Sequence, residues 1–277
     1  MPASFPPPRR TRAAARAAAA LLGPALLALA APAAANGRYP AAGLIAVDPS
    51  DPAHFLVRAT YGVLTTRDRG AEWRWICEGA VGFGGYEDPM IAFLSDGTLI
   101  AGVFKGLSAS TSGGCDWEFA GGDLTSRYVT DLSAERGDPS RAVLVISNGV
   151  GSGQFLTQLW ETADNAGSWT QAGADLPDAL LALTVDVAPS DPSLVYVSGR
   201  YGGPEYAGVI ERSPDRGQTW ERLDIPGTDS QHLAFIGAID PADPDLLYVR
   251  IDGDPSDALL VSTTGGETWT TAFEGRG

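Results

Sequence analysis

The chain has 277 residues, 44% of them hydrophobic, and a formal net charge of −15; that is enough apolar material for a real core, and it excludes a disordered chain. A surface this acidic repels polyanions, which excludes nucleic acid and anionic lipid as general partners. The 34 glycines and 20 prolines punctuate short segments rich in Val, Leu, Ile, Thr, Tyr and Trp, a β-sheet composition.

Residues 1–35 read as a secretory signal peptide. Arg9, Arg10, Arg12 and Arg16 form a basic leader, an alanine and leucine run follows from Ala17 to Ala31, and Ala33, Ala34 and Ala35 offer small residues for cleavage before Asn36. A membrane anchor is the rival reading, but the run is short, alanine-dominated and broken by Pro24. No later apolar stretch is long enough to span a bilayer, so no membrane insertion is expected once the signal is removed. Residues 36–277 are expected to be secreted or periplasmic, and losing four arginines takes the formal charge from −15 to −19. In such a compartment Cys77 and Cys115 are expected to pair as a disulfide, two free thiols being the alternative.

From about residue 41 the chain repeats. Five segments end in tryptophan: TRDRGAEW at Trp73, STSGGCDW at Trp117, TADNAGSW at Trp169, SPDRGQTW at Trp220 and STTGGETW at Trp269, at intervals of 44, 52, 51 and 49 residues. Upstream lies a second repeat, an apolar strand, an Asp/Pro turn and another apolar strand, clearest in IAVDPSDPAHFLV from Ile45, VDVAPSDPSLVYV from Val185 and GAIDPADPDLLYV from Gly237. Proline fixes φ and aspartate caps its own turn, so the strands reverse there. Each unit reads as four strands, with the tryptophan segment as the turn between the third and fourth. Its aspartate (Asp68, Asp164, Asp215) accepts turn N–H groups, its glycine (Gly70, Gly217, Gly266) takes positive φ, and its tryptophan covers the edge of the core. Units of this size repeated at this period predict an all-β fold, a β-propeller of four-stranded antiparallel blades. The five blades are expected at about 41–78, 88–120, 127–172, 182–224 and 234–273. They form either a closed five-bladed ring or part of a larger propeller.

The tryptophan segments resemble the Asp-box (BNR) repeat, SxDxGxTW, found in sialidases, sortilin-type receptors, xyloglucan-cleaving glycosidases and photosystem assembly factors. The resemblance covers residues 41–273, and only the fourth copy matches at every position. Ser112 and Thr264 stand for the aspartate in the second and fifth copies, Ala166 for the glycine in the third, and Glu72 and Asp116 at the hydroxyl position in the first two. Such decay suits a structural turn and argues against catalytic or metal-binding aspartates.

If the Asp/Pro turns and tryptophan turns share one face as scaffold, function falls to the other face, built from the loops between second and third strands and from the linkers between blades. Candidate ligand-binding residues there are Arg58, Tyr61, Tyr86, Glu87, Asp88, Lys105 (the only lysine), Arg200, Tyr201 and Arg250, with Arg127, Tyr128, Glu205, Tyr206 and His232 in the same loops. A cationic and aromatic face on an acidic protein suits a carboxylate-bearing sugar or an acidic peptide. The competing reading makes the arginines partners of Glu87, Asp88 or Asp252 in internal salt bridges.

The sialidase resemblance implies three arginines, an aspartate acid and a tyrosine nucleophile assisted by a glutamate. The nearest match to that family's first arginine motif is GRYP from Gly37, where Arg38 and Pro40 match and Gly37 and Tyr39 do not. Arg38, Arg200, Arg250 and Asp88 can be nominated, but no spacing forces them together. There is no Gly-x-Ser-x-Gly elbow, phosphate loop or dinucleotide fingerprint, and His54 and His232 have no zinc spacing. The expectation is an exported, non-catalytic propeller with no cofactor and no metal, binding an extracellular protein or glycan. The alternative is a secreted sialidase-like glycosidase.

Overall fold

The computed structural model describes residues 39–202, 207–253 and 256–275. The expected signal peptide, Arg38, Glu205 and Tyr206 lie outside the described residues. The structure is a five-bladed β-propeller. Blade 1 holds β1 (Ala42–Val47), β2 (Phe55–Ala59), β3 (Gly62–Thr66) and β4 (Arg74–Ile76), followed by a one-turn helix α1 (Glu78–Val81). Blade 2 holds β5 (Ile91–Phe93), β6 (Leu99–Val103), β7 (Gly106–Ser110) and β8 (Glu118–Phe119), and a 3-10 turn at Gly122–Leu124 leads onward. Blade 3 holds β9 (Val129–Ala134), β10 (Ala142–Gly151), β11 (Gln154–Thr162) and β12 (Thr170–Gln171). Blade 4 holds β13 (Leu180–Val187), β14 (Val195–Tyr201), β15 (Gly208–Ser213) and β16 (Glu221–Asp224). Blade 5 holds β17 (Leu233–Ile239), β18 (Leu247–Asp252), β19 (Asp257–Ser262) and β20 (Thr270–Gly275). Within every blade each strand pairs antiparallel with the next.

The middle strands are apolar at successive positions because both faces of a blade are covered. In β14, Val195 and Val197 pack toward blade 3, while Tyr196 between them packs toward blade 5 and donates its hydroxyl to the Pro244 carbonyl at 3.0 Å. Large side chains buried in this way stabilise by about 1.5–3 kcal/mol each. Four apolar seams result, joining blades 1 and 2, 2 and 3, 3 and 4 and 4 and 5. Among the described residues no buried apolar cluster joins blade 5 to blade 1.

The tryptophan turns explain their own sequence variation. In all five, a hydroxyl ending the third strand (Thr66, Ser110, Thr162, Ser213, Ser262) accepts the N–H four residues on, at 2.7–3.2 Å. The residue donating that N–H has positive φ: Gly70, Gly114, Ala166, Gly217 and Gly266. Asp68, Asp164 and Asp215 each accept a further N–H four residues on. Where aspartate is missing, the Ser112 and Thr264 hydroxyls accept the same N–H at 2.8 and 2.9 Å. A neutral oxygen therefore fills the role, and the aspartate is dispensable. These turns also bond to the Asp/Pro turns of their own blades, Arg69 N–H to Ala53, Asn165 to Ser140, Arg216 to Ser193 and Gly265 to Asp245, so both kinds of turn share one end of the propeller.

Candidate ligand-binding face

At the opposite end lie the loops between second and third strands and the linkers between blades. Glu87, in the linker after α1, is the organising residue. Its carboxylate is buried and accepts the N–H groups of Phe104 and Gly84. This pins the β6–β7 turn, Phe104 and Lys105, against the linker. Phe104 then stacks on Tyr128, which enters from the linker to blade 3, with ring centroids 4.0 Å apart and planes 17° from parallel. The Tyr128 N–H is held in turn by the Asn148 side chain at 3.2 Å. Burial, with Glu87 nearby, raises the Tyr128 pKa, so the phenol stays neutral. Phe104 and Tyr86 are both exposed, and Lys105 is exposed beside them. Three blades thus build an aromatic ledge with one cation. Glu87, Lys105 and Tyr128 are sequence candidates brought together there, and Tyr86 precedes Glu87 in the same linker. Phe104, flanked by turn residues in GVFKG, is not among them, although an aromatic in a two-residue turn was the signal available.

The remaining candidates go elsewhere. Arg58 is buried in the seam between blades 1 and 2, where it donates to the carbonyls of Asp88 and Pro89; its guanidinium occupies the space beside Gly43, where a Cβ would clash. Tyr61 is exposed and its carbonyl accepts the Trp75 indole N–H at 2.9 Å. Arg200 and Tyr201 end β14. The Tyr201 hydroxyl donates to Glu211 at 2.7 Å, and Arg222 lies 4.1 Å over the Tyr201 ring. Burial raises the Glu211 carboxyl, and burial together with Glu211 raises Tyr201. Arg250 lies on blade 5, paired with Asp252 at 3.0 Å and 5.1 Å over the Phe235 ring.

Two features escaped sequence reading. Asp131 on β9 and Asp186 on β13 face one another electrostatically between the innermost strands of blades 3 and 4. One Asp131 oxygen accepts the Val185 N–H at 2.8 Å and the other is buried without a partner. Burial first, then the Asp186 charge, pushes the Asp131 carboxyl well above its usual range, and burial lifts Asp186 to about 7. Each lies in a run of strand residues, and only the stacking of two blades brings them together. The second feature is a cleft of about 570 Å³ at the turn end between blades 1 and 2, lined by Thr65, Asp68, Trp75, Ser112 and Cys115 among others.

The cysteines correct the expected disulfide. Cys77 and Cys115 are free and exposed. Cys77 precedes α1 in the linker leaving blade 1, and Cys115 sits inside the tryptophan turn of blade 2. Among the described residues no group of three or more His, Cys, Asp or Glu side chains is placed to hold a metal ion. His54 is buried and bonds Asp48 at 3.0 Å, a tie within its own Asp/Pro turn.

The geometry can be set beside solved structures. The chain is similar to the GH74 enzyme of Niastella koreensis (TM-score 0.61, 18% identity, 83% of this chain and 38% of that one). It is also similar to the BP39L lectin of Burkholderia pseudomallei (0.57, 13%, 84% and 69%) and to the Hadza microbial sialidase Hz136 (0.50, 16%, 86% and 59%). At these identities the likeness is one of fold, and the chain spans about two fifths of the length of the GH74 enzyme. No protein-family model and no curated protein matches the chain.

Proposed function

We propose that this is an exported, non-catalytic Asp-box propeller that binds a glycan or an extracellular protein through its loop face, centred on Phe104 and Tyr128. The observation that carries this reading is the exposed Phe104 ring stacked on the half-buried Tyr128, braced by the buried Glu87 carboxylate, with the exposed Tyr86 and Lys105 next to Glu87 and Phe104 in sequence. Exposed aromatic rings held rigid from below offer flat apolar area at low entropic cost, and Lys105 adds a contact for a carboxylate. The lectin and glycan-active enzymes among the structural neighbours give the glycan class its weight. The sequence of residues 1–35 supports secretion or delivery to the periplasm. Glycan and peptide arrays probed with the purified protein test the reading. Binding is expected, with Phe104→Ala weakening it at least tenfold; binding unaffected by Phe104→Ala and Lys105→Ala refutes this location.

One observation favours a second reading, a secreted sialidase-like glycosidase: the Tyr201 hydroxyl sits 2.7 Å from Glu211, the pairing that a tyrosine nucleophile needs. Its electrostatics run against it. Tyr201 is raised rather than lowered, and the adjacent Arg222 is already engaged by Asp224 at 2.9 Å. Turnover of a fluorogenic sialoside that is lost in Tyr201→Phe establishes the enzyme; no turnover leaves the binding module.

A further inference from the structure

Five tryptophan turns serve four seams. Trp117, Trp169, Trp220 and Trp269 each pack into the seam between their own blade and the preceding one. Trp73, the turn tryptophan of blade 1, has no such seam, rests edge-on against Phe55 and is 45% exposed. Around it, Ile45 is 66% and Val47 52% exposed. Their repeat equivalents in blade 4 are Val185 and Val187, only 1% and 8% exposed under blade 3. Blade 1 therefore carries the receiving half of a seam that no apolar cluster of the described residues covers.

Blade 5 carries the other half. Tyr248 and Leu259 occupy the positions of Tyr196 and Ile210 in blade 4, both fully buried under blade 5, and Phe273 stands where Leu223 packs into that same seam. On blade 5 these positions face outward, and Phe273 is 64% exposed.

Charge follows the same pattern. In the seam between blades 3 and 4, Arg216 of the following blade donates to Glu135 of the preceding one at 2.7 Å. Backbone register identifies the equivalents. Arg69 N–H bonds Ala53 as Arg216 N–H bonds Ser193, and Asp240 N–H bonds Leu246 as Glu135 N–H bonds Arg141. Blade 1 thus presents Arg69, exposed and with no ion pair among the described residues, and blade 5 presents Asp240 at the position of Glu135. Apolar area and charge are matched on two faces that no seam or ion pair joins among the described residues.

We propose that blade 5 of one copy docks on blade 1 of a second copy, head to tail, forming a fifth seam in which Arg69 of one chain pairs with Asp240 of the other. The contact is heterologous, so copies joined by it form a ring where the rotation closes and an open chain where it does not. The partner is a second copy because the chain supplies both complementary halves, including the charge pair, in the register of its own internal seams.

Light scattering and sedimentation on the full chain, with acrylamide quenching of tryptophan fluorescence, test this. The expected result is a mass of two or more copies, with Trp73 shielded on association. Val47→Asp or Phe273→Asp alone is expected to weaken association at least a hundredfold, and Arg69→Glu at least tenfold. Mixing Val47→Asp with Phe273→Asp restores a pair, since each retains the face the other lacks; circular dichroism confirms that both variants fold. A single-chain mass with Trp73 quenchable overturns the proposal in favour of a different partner. A single-chain mass with Trp73 shielded overturns it in favour of a ring closed on itself. Association untouched by all three variants overturns it as well.

Discussion

Replacing Asp186 with asparagine isolates the energetic consequence of placing two carboxyls between blades 3 and 4. Burial raises the Asp186 pKa from 3.8 to about 7. A carboxyl raised on folding makes the native state hold its proton longer than the unfolded chain does. Its contribution is therefore fully present below about pH 4 and is lost as pH rises through about 7. Roughly three pK units at about 1.4 kcal/mol each give about 4 kcal/mol, reduced to about 2–4 kcal/mol because the residue is only half-buried. Asp131, raised by burial and by the Asp186 charge, adds loss of the same sign. Arg136 is the cation that eases the Asp186 charge, and the Ser133 hydroxyl bonds it at 3.4 Å, a contact that the asparagine oxygen can keep. For a domain of this size the wild-type Tm is expected to fall by roughly 5–15 °C between pH 4.5 and 8. Asp186→Asn should flatten that fall and be the more stable protein at pH 8. Calorimetry or fluorescence melts across this range decide it. Parallel Tm curves for wild type and Asp186→Asn would show that the pair is not proton-linked to folding and refute the reasoning.

Ala166 is the one non-glycine among the five turn residues that donate their N–H to the third-strand hydroxyl at positive φ (φ 66°), so Ala166→Gly should stabilise by about 1 kcal/mol in thermal melts. The converse, Gly217→Ala, places a Cβ 2.8 Å from a Leu159 methyl at φ 88° and should cost about 1–3 kcal/mol in urea titrations. Arg216→Ala leaves the buried Glu135 carboxylate with Arg141 as its remaining cation, at 3.2 Å, and should destabilise by about 1–3 kcal/mol. Asp215→Ala should lower Tm while Asp215→Ser nearly preserves it, since Ser112 already fills that role in blade 2. A shared loss in both would show that the carboxylate charge matters after all.

The loop face was legible in outline and not in membership. GVFKG and LTSRYVT are recognisable as turn and linker, yet nothing local says that Phe104 lies on Tyr128, because the contact crosses from blade 2 to the linker of blade 3. Arg58 and Arg250 occupy the same repeat position with opposite fates. One is buried where blade 2 covers it and the other is exposed where no blade among the described residues does, a difference made by the neighbour and absent from the repeat itself. The structure leaves Cys77 and Cys115 as free, exposed thiols where compartment alone predicts oxidation.

The sequence by itself determined the blades. Strand, Asp/Pro turn, strand, tryptophan turn and strand are local patterns whose backbone requirements, a positive φ, a capping oxygen, a reversed chain, are met within about ten residues. Tertiary structure alone decided which faces are covered. Stacking joined Asp131 to Asp186, set Phe104 on Tyr128, and left Trp73 and Phe273 exposed, because packing between blades is a long-range outcome that identical local patterns satisfy in different ways.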